Sequence, residues 1–120
     1  MATLQSHTQQ SFGRSGSSPE SIGAIDVANK FYDSVVHLAI TCNKNGDLSN
    51  YAKANENGYS IVLPEKTNDL GFAMTSSFTS MLLAVILLFN DRIKLNEINA
   101  LNDLTNSLLE KNHSNIKKDI

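Results

Sequence analysis

Residues 11–21 read SFGRSGSSPES, and this stretch predicts how the fold begins. Its proline suits the first position of a helix, with one of the two preceding serines as the N-cap and the following glutamate in the first turn. Apolar residues then recur at helical spacing. The stretch therefore predicts a Gly/Ser-rich loop over residues 11–18 that leads into a helix over about residues 19–32.

The rest of the chain alternates strands with helices. Two short apolar runs, typical of buried parallel strands, cover residues 35–41 and 59–63. Further helices are predicted over about residues 47–54, over about residues 73–90, and along a C-terminal stripe of Ile98, Leu101, Leu104 and Leu108. We expect an α/β fold with long C-terminal helices, built on an incomplete doubly wound parallel sheet of the three-layer, Rossmann-like kind.

The composition excludes several classes of function. The chain has 120 residues with 10 Lys+Arg and 12 Asp+Glu, a balance that argues against a nucleic-acid partner. The single cysteine, Cys42, and three scattered histidines lack the spacing of a metal site, so we expect neither a metal nor another cofactor. Residues 1–10 are polar and lack the apolar core of a secretory signal. We expect them to be irregular, and the protein to be cytoplasmic.

An uncharged stretch between Asp69 and Asp91 contains nine consecutive apolar residues, Met81–Phe89. A membrane span needs roughly 20 such residues. The first half of the stretch is also rich in serine and threonine. We therefore expect a buried core helix, with a small membrane protein spanning about residues 70–90 as the alternative.

The Gly/Ser-rich loop has the chemistry of an anion site. Amide groups at a helix N-terminus carry partial positive charge, glycines let the backbone approach an anion, and hydroxyls add donors. Arg14 supplies a cationic partner. The spacing matches neither a Walker A motif nor a dinucleotide motif. A flexible linker that only caps the helix is the alternative that composition leaves open.

The loop closely resembles the phosphosugar loop of the sugar isomerase (SIS) domain. Within that class it is most similar to the tagatose-6-phosphate ketose/aldose isomerase family, also described as galactosamine-6-phosphate deaminase/isomerases. Three further blocks agree in order: LAITCN at residues 38–43, the strand over residues 59–64, and GFAMTSSFT at residues 71–79. The resemblance covers about residues 11–95. It implies a doubly wound α/β domain that binds its ligand at the carboxyl ends of the strands.

The resemblance also implies which residues contact the ligand, a hexose 6-phosphate or hexosamine 6-phosphate. Backbone amides and hydroxyls of the first loop would hold the phosphate, through Arg14, Ser15, Gly16, Ser17 and Ser18. The loop before the third helix would line the other side, through Ala73, Met74, Thr75 and Ser76. Many SIS domains carry a serine where this chain has Gly13, so one hydroxyl is missing here.

The chain departs from the family in two respects. The family has an apolar strand directly before the phosphate loop, whereas residues 5–10 here are polar and predict a poor central strand. The family's acid/base glutamate and histidine match no residue of this chain, so we expect no catalytic residue. Structural explanations are favoured for the other ionisable side chains: Glu20 at a helix dipole, His37 and Cys42 in the core, Glu65 and Asp69 solvated, and His7 and His113 in weakly structured ends.

These observations predict a fragment of a sugar-phosphate isomerase or amino-sugar-phosphate deaminase of carbohydrate catabolism, inactive alone. Residues 11–95 would form a partial SIS domain, and residues 96–120 a C-terminal helix and tail. Its incomplete sheet predicts a second copy or a complementing SIS domain as partner. The alternatives are a non-catalytic phosphosugar-binding or regulatory module, the membrane protein described above, and a non-functional remnant.

Overall fold

A computed structural model describes the backbone of residues 7–116 and the side chains of residues 7–112. The elements follow in the order β1 (His7–Gly13), α1 (Pro19–Phe31), β2 (Val35–Thr41), α2 (Asp47–Ala54), β3 (Gly58–Val62), a 3-10 turn (Glu65–Thr67), α3 (Ser76–Phe89) and α4 (Leu95–Ile116). The predictions for residues 1–6 and 117–120 lie outside the described residues. The chain divides into two compact units, one through Ala84 and the other from Val85.

The first unit is built on a parallel sheet of three strands with β2 in the middle. The apolar sequence of β2 is buried almost throughout, because a central strand has neighbours on both edges. Helices α1 and α2 pack on one face of β2, where Ile25, Ala39, Leu48 and Ala52 form the core cluster. This βαβαβ arrangement is one half of a doubly wound sheet, so the predicted α/β class is confirmed.

The prediction that residues 7–10 are irregular is wrong. They belong to β1, which pairs in parallel with β2 from His7 opposite Val35 to Gly13 opposite Thr41. β1 lies at the edge of the described sheet, so its polar side chains remain largely exposed while its backbone bonds to β2. The ring of His7 also stacks on Tyr32, with 4.2 Å between the centroids. His7 is therefore part of the ordered fold.

Helix α3 has 14 residues and begins three residues later than the sequence predicted. Of its side chains in the first unit, Ser77 and Met81 are buried. In the part of the chain that the structure describes, no helix is long and apolar enough to cross a bilayer. In the second unit, the leucine stripe predicted for the last helix lies on α4 and is exposed.

His37 is buried against the two helices that cover β2. Its Nε2–H donates to Asn29 Oδ1 at 2.7 Å, and Asn29 Nδ2 donates to the Tyr51 hydroxyl at 2.8 Å. The other ring nitrogen, Nδ1, is buried and has no hydrogen-bond partner among the residues that the structure describes. Burial lowers the pKa of His37 below its ordinary value, because a charged imidazolium would lose its hydration there.

The free energy of unfolding should therefore decrease as the pH falls below 6.5, the ordinary pKa of histidine. The folded-state pKa is lowered, so the unfolded chain takes up the proton first, and the contribution of neutral His37 is complete only above that pH. Urea unfolding between about pH 5 and about pH 8 measures the dependence. His37→Gln should flatten this slope, because glutamine takes up no proton in this range. An unchanged slope in His37→Gln would contradict the assignment.

Candidate functional site

The three parallel strands end at one edge of the sheet, at Gly13, Thr41 and Val62. The loops that follow them therefore share this edge, which is where open α/β sheets bind ligands. We call residues 14–18 the phosphate loop and residues 69–76 the second loop. Both lie in the first compact unit.

The phosphate loop is pressed against the start of α2 through a left-handed turn at Gly16. Gly16 has φ +66°, and a Cβ there would lie 2.9 Å from Thr41 Oγ1. Its carbonyl accepts a hydrogen bond of 2.8 Å from the Leu48 amide. A side chain on Gly46 would collide with the Ser15 carbonyl oxygen. Glycine is thus required at both positions for the loop to approach α2 this closely.

Two hydroxyls of the phosphate loop cap helices. Ser18 is the N-cap of α1, as predicted for one of the two serines, and its Oγ accepts from the Ser21 amide at 3.3 Å. Ser17 Oγ accepts from the Asp47 amide at 3.1 Å, at the start of α2. Ser17 Oγ acts here as an acceptor, so its hydroxyl proton is left to donate elsewhere. Ser18 Oγ also lies 2.9 Å from Ser21 Oγ, and either of these two hydroxyls can be the donor.

Several amide donors of the phosphate loop and the first turn of α1 are unused. Among the described residues, the amides of Gly16, Ser18 and Glu20 donate to no protein acceptor. The Ser15 side chain is exposed beside them. Unused donors gathered at the N-terminus of α1 have the chemistry that proteins use to bind anions. The carboxylates of Glu20 and Asp47 in the first helical turns are exposed, so water screens their repulsion of an anion.

Arg14 connects the two loops. Its Nη1 donates to the main-chain carbonyls of Asp69 at 2.6 Å and Gly71 at 3.2 Å. The sequence identified Arg14 as a charge partner for phosphate, and in the structure its guanidinium binds the backbone of the second loop. Nothing in the local sequence indicates this contact, because the partners are 55 and 57 residues away.

Asp69 caps the N-terminus of α3, a structural role that the sequence did not predict. Its carboxylate accepts from the Ser77 amide and the Ser77 hydroxyl, both at 2.8 Å, and from the Ser76 amide at 3.2 Å. The Ser77 amide contributes most to holding the pKa of Asp69 below its ordinary value, with the Ser77 hydroxyl next. This cap also explains why α3 begins at Ser76 and not at Ala73.

The predicted residues of the second loop, Ala73 to Ser76, are all exposed. The hydrogen bonds that tie their loop to the phosphate loop run through Arg14 and Asp69. Sequence reasoning also missed the role of Asn43, whose Nδ2 donates to the Ser15 carbonyl at 2.9 Å. Asn43 lies in the LAITCN block at residues 38–43, which carries part of the family resemblance. That resemblance indicates a site near Asn43, but it does not predict this hydrogen bond.

Cys42 is buried at the end of β2, as predicted for a packing residue. Its Sγ lies 3.5 Å from Thr67 Oγ1, which joins the loop after β2 to the loop after β3. An open pocket of about 330 Å³ lies between these loops, lined by Cys42, Asn43, Lys44, Asn45, Val62, Leu63, Glu65 and Asn68. The thiol therefore contributes to packing at the edge of the site.

The chain matches no protein-family model. It is 52% identical over 79 residues to D-galactosamine-6-phosphate deaminase AgaS of Shewanella sp. strain ANA-3, which covers 66% of this chain and 20% of the relative. The protein of that name from Escherichia coli O157:H7 is 47% identical over 79 residues, covering 66% of this chain and 21% of the relative. The chain thus spans about a fifth of the length of the curated relatives it matches.

The fold has a solved counterpart. The crystal structure of tagatose-6-phosphate ketose/aldose isomerase from Escherichia coli matches 69% of this chain with a TM-score of 0.68 and 44% sequence identity, over 22% of that protein. The half sheet and the phosphate loop define an α/β domain of the sugar isomerase (SIS) class. Within that class, about two thirds of the chain is similar to a segment of the tagatose-6-phosphate ketose/aldose isomerases and galactosamine-6-phosphate deaminases.

Gly16→Ala should destabilise the fold by about 2 kcal/mol, because a left-handed conformation costs an L-residue about 1–2 kcal/mol and the new methyl group would also crowd Thr41. Gly23→Ala is the matched control. It lies in α1 with open space around a new Cβ, and should stabilise by about 0.5–1 kcal/mol. Chemical denaturation of both variants measures the difference. Equal effects at the two positions would show that the turn at Gly16 is not constrained.

Proposed function

We propose that this chain is the phosphosugar-binding part of an aldose/ketose sugar-phosphate isomerase or amino-sugar-phosphate deaminase. Its ligand would be a hexose 6-phosphate or hexosamine 6-phosphate. The phosphate would lie on the phosphate loop at Ser15 to Ser18, and the second loop at Ala73 to Ser76 would line the sugar. The single buried cysteine suits a reducing, cytoplasmic setting.

The observation that carries this proposal is the set of unused donors on the phosphate loop and in the first turn of α1. Gly16, Ser18 and Glu20 have free amides among the described residues, and the hydroxyls of Ser15 and Ser17 are exposed beside them. A phosphate monoester has three oxygens and nearly two negative charges, which matches several donors on one short loop. The relatives named for galactosamine-6-phosphate and tagatose-6-phosphate support a sugar as the rest of the ligand.

Binding without turnover is what we expect from this chain alone. Moving a proton between adjacent carbons of a sugar requires a base beside the substrate. Glu20 lies next to the phosphate loop, in the first turn of α1, and its side chain is exposed. Its negative charge there interacts favourably with the positive end of the helix dipole. Catalytic groups would then come from another polypeptide segment, and a non-catalytic phosphosugar-binding module is the alternative.

An exposed apolar surface supports the proposal that the first unit has a binding partner. Phe12, Phe78, Met81 and Leu82 line an open pocket of about 350 Å³, and Phe12 and Phe78 are each about half exposed. β1 also lies at the edge of the described sheet. We propose that a complementing SIS domain or a second copy of the chain covers this surface, with residues 11–95 acting as the partial SIS domain.

An amide-resolved NMR titration with galactosamine 6-phosphate tests the function directly. Resonance shifts should concentrate at residues 13–18, with a weaker set at residues 72–76. Galactosamine without phosphate should produce neither set, because the phosphate supplies most of the attraction to the amides. Shifts that are absent or scattered over the surface, or equal shifts with unphosphorylated sugar, would contradict the proposal.

Ser15→Ala should weaken binding of galactosamine 6-phosphate by about 10- to 100-fold, since a hydrogen bond to a charged group is worth about 1.5–3 kcal/mol. Ser15 is chosen because Ser18 also caps α1, so replacing Ser18 would change stability as well. Ser34→Ala, at the opposite end of the sheet, is the matched control and should leave affinity unchanged. Calorimetric titration measures both. Equal affinities in the two variants would remove Ser15 from the site.

A further inference from the structure

The contact between the phosphate loop and the second loop depends on one cationic side chain. Arg14 Nη1 reaches two main-chain carbonyls, of Asp69 and Gly71, at 2.6 and 3.2 Å. Arg14 and its hydrogen bond to Asp69 are partly buried, which shields that bond from competing water, whereas the bond to Gly71 is exposed. A guanidinium is always charged, and hydrogen bonds from a charged donor are about twice as strong as neutral ones.

The second half of the connection is the carboxylate of the same aspartate. While its carbonyl accepts from Arg14, its side chain accepts from the Ser76 and Ser77 amides and from the Ser77 hydroxyl. Asp69 therefore joins Arg14 to the first turn of α3. It also occupies, with a negative charge of its own, the place where an anion would otherwise bind that helix N-terminus.

We propose that Arg14 and Asp69 are positioning residues that hold the second loop against the phosphate loop, and that Arg14 acts on the sugar end of the ligand and not as a phosphate ligand. We call this pair the Arg14–Asp69 clamp. The part concerning the ligand rests on the proposed function, whereas the part concerning the loop does not.

The clamp has a consequence for how a sugar phosphate lies in the site. The amides at the start of α3 are occupied by Asp69, whereas those at Gly16, Ser18 and Glu20 are free among the described residues. The phosphate therefore belongs on the phosphate loop, and the sugar extends toward the second loop. Inorganic phosphate would contact only the phosphate loop, so loss of the clamp should not affect it.

Amide hydrogen exchange tests the clamp without any ligand. Arg14→Gln leaves Asp69 and Ser77 in place, yet it should accelerate exchange of the Ser77 amide by about tenfold or more, because the loop that carries the cap loses its anchor. In Arg14→Lys, which keeps a charged donor, the Ser77 amide should exchange within about threefold of its rate in the unmodified chain. Lys66→Gln removes a charge from the same region and should change nothing.

Ligand binding separates a positioning residue from a phosphate ligand. Arg14→Gln should lower the affinity for galactosamine 6-phosphate by about tenfold, while the affinity for inorganic phosphate should change by less than about twofold. Asp69→Ala should give the same pattern. Arg14→Lys should restore the affinity for the sugar phosphate. Calorimetric titration of both probes with each variant measures the ratio.

The outcomes distinguish the clamp from the proposed function. Unchanged exchange of the Ser77 amide in Arg14→Gln overturns the clamp. Equal losses for inorganic phosphate and sugar phosphate overturn the assignment of Arg14 to the sugar end and make it a phosphate ligand. If the unmodified chain binds neither probe, the proposed function fails, and the exchange experiment still decides whether Arg14 holds the second loop.

Discussion

The close approach of the phosphate loop to α2 is the constraint on which the site depends. It requires a left-handed backbone conformation at Gly16, next to Thr41, and it leaves no room for a side chain at Gly46. Given these two glycines, the Gly16 carbonyl meets the Leu48 amide and Ser17 Oγ meets the Asp47 amide. One turn therefore fixes α2 against the loop and turns the loop's own unused amides to the same edge of the sheet.

The helix N-termini at this edge are capped in two chemically different ways. α1 is capped by the neutral hydroxyl of Ser18, whereas the first amides of α3 are occupied by the carboxylate of Asp69. A neutral cap leaves the partial positive charge at the helix N-terminus available to an incoming anion, whereas a carboxylate cap already offsets that charge. In the proposed site this difference gives the ligand a direction, with its phosphate at the phosphate loop and its sugar at the second loop.

The sequence predicted the features that local chemistry determines. A proline after two serines located the start of α1, and an unbroken apolar run located β2, because both signals act within a few residues. β1 was missed because its side chains are polar. It is held by backbone hydrogen bonds to β2, which the pattern of side chains does not predict. The Asp69 cap was missed because Asp69 lies seven and eight residues before the amides it binds, outside the usual spacing of a cap.

The contacts that shape the phosphate loop come from nearby parts of the first unit. Gly16 is held by Thr41 and Leu48, the Ser15 carbonyl by Asn43, and Arg14 by the second loop. The apolar surface around Phe12 and Phe78 takes no part in these contacts. Covering that surface would add stability through apolar burial. Shaping the anion site needs only the turn at Gly16 and the groups around it. The proposed phosphate binding and the proposed partner are therefore separable, because only covering the apolar surface requires a second polypeptide.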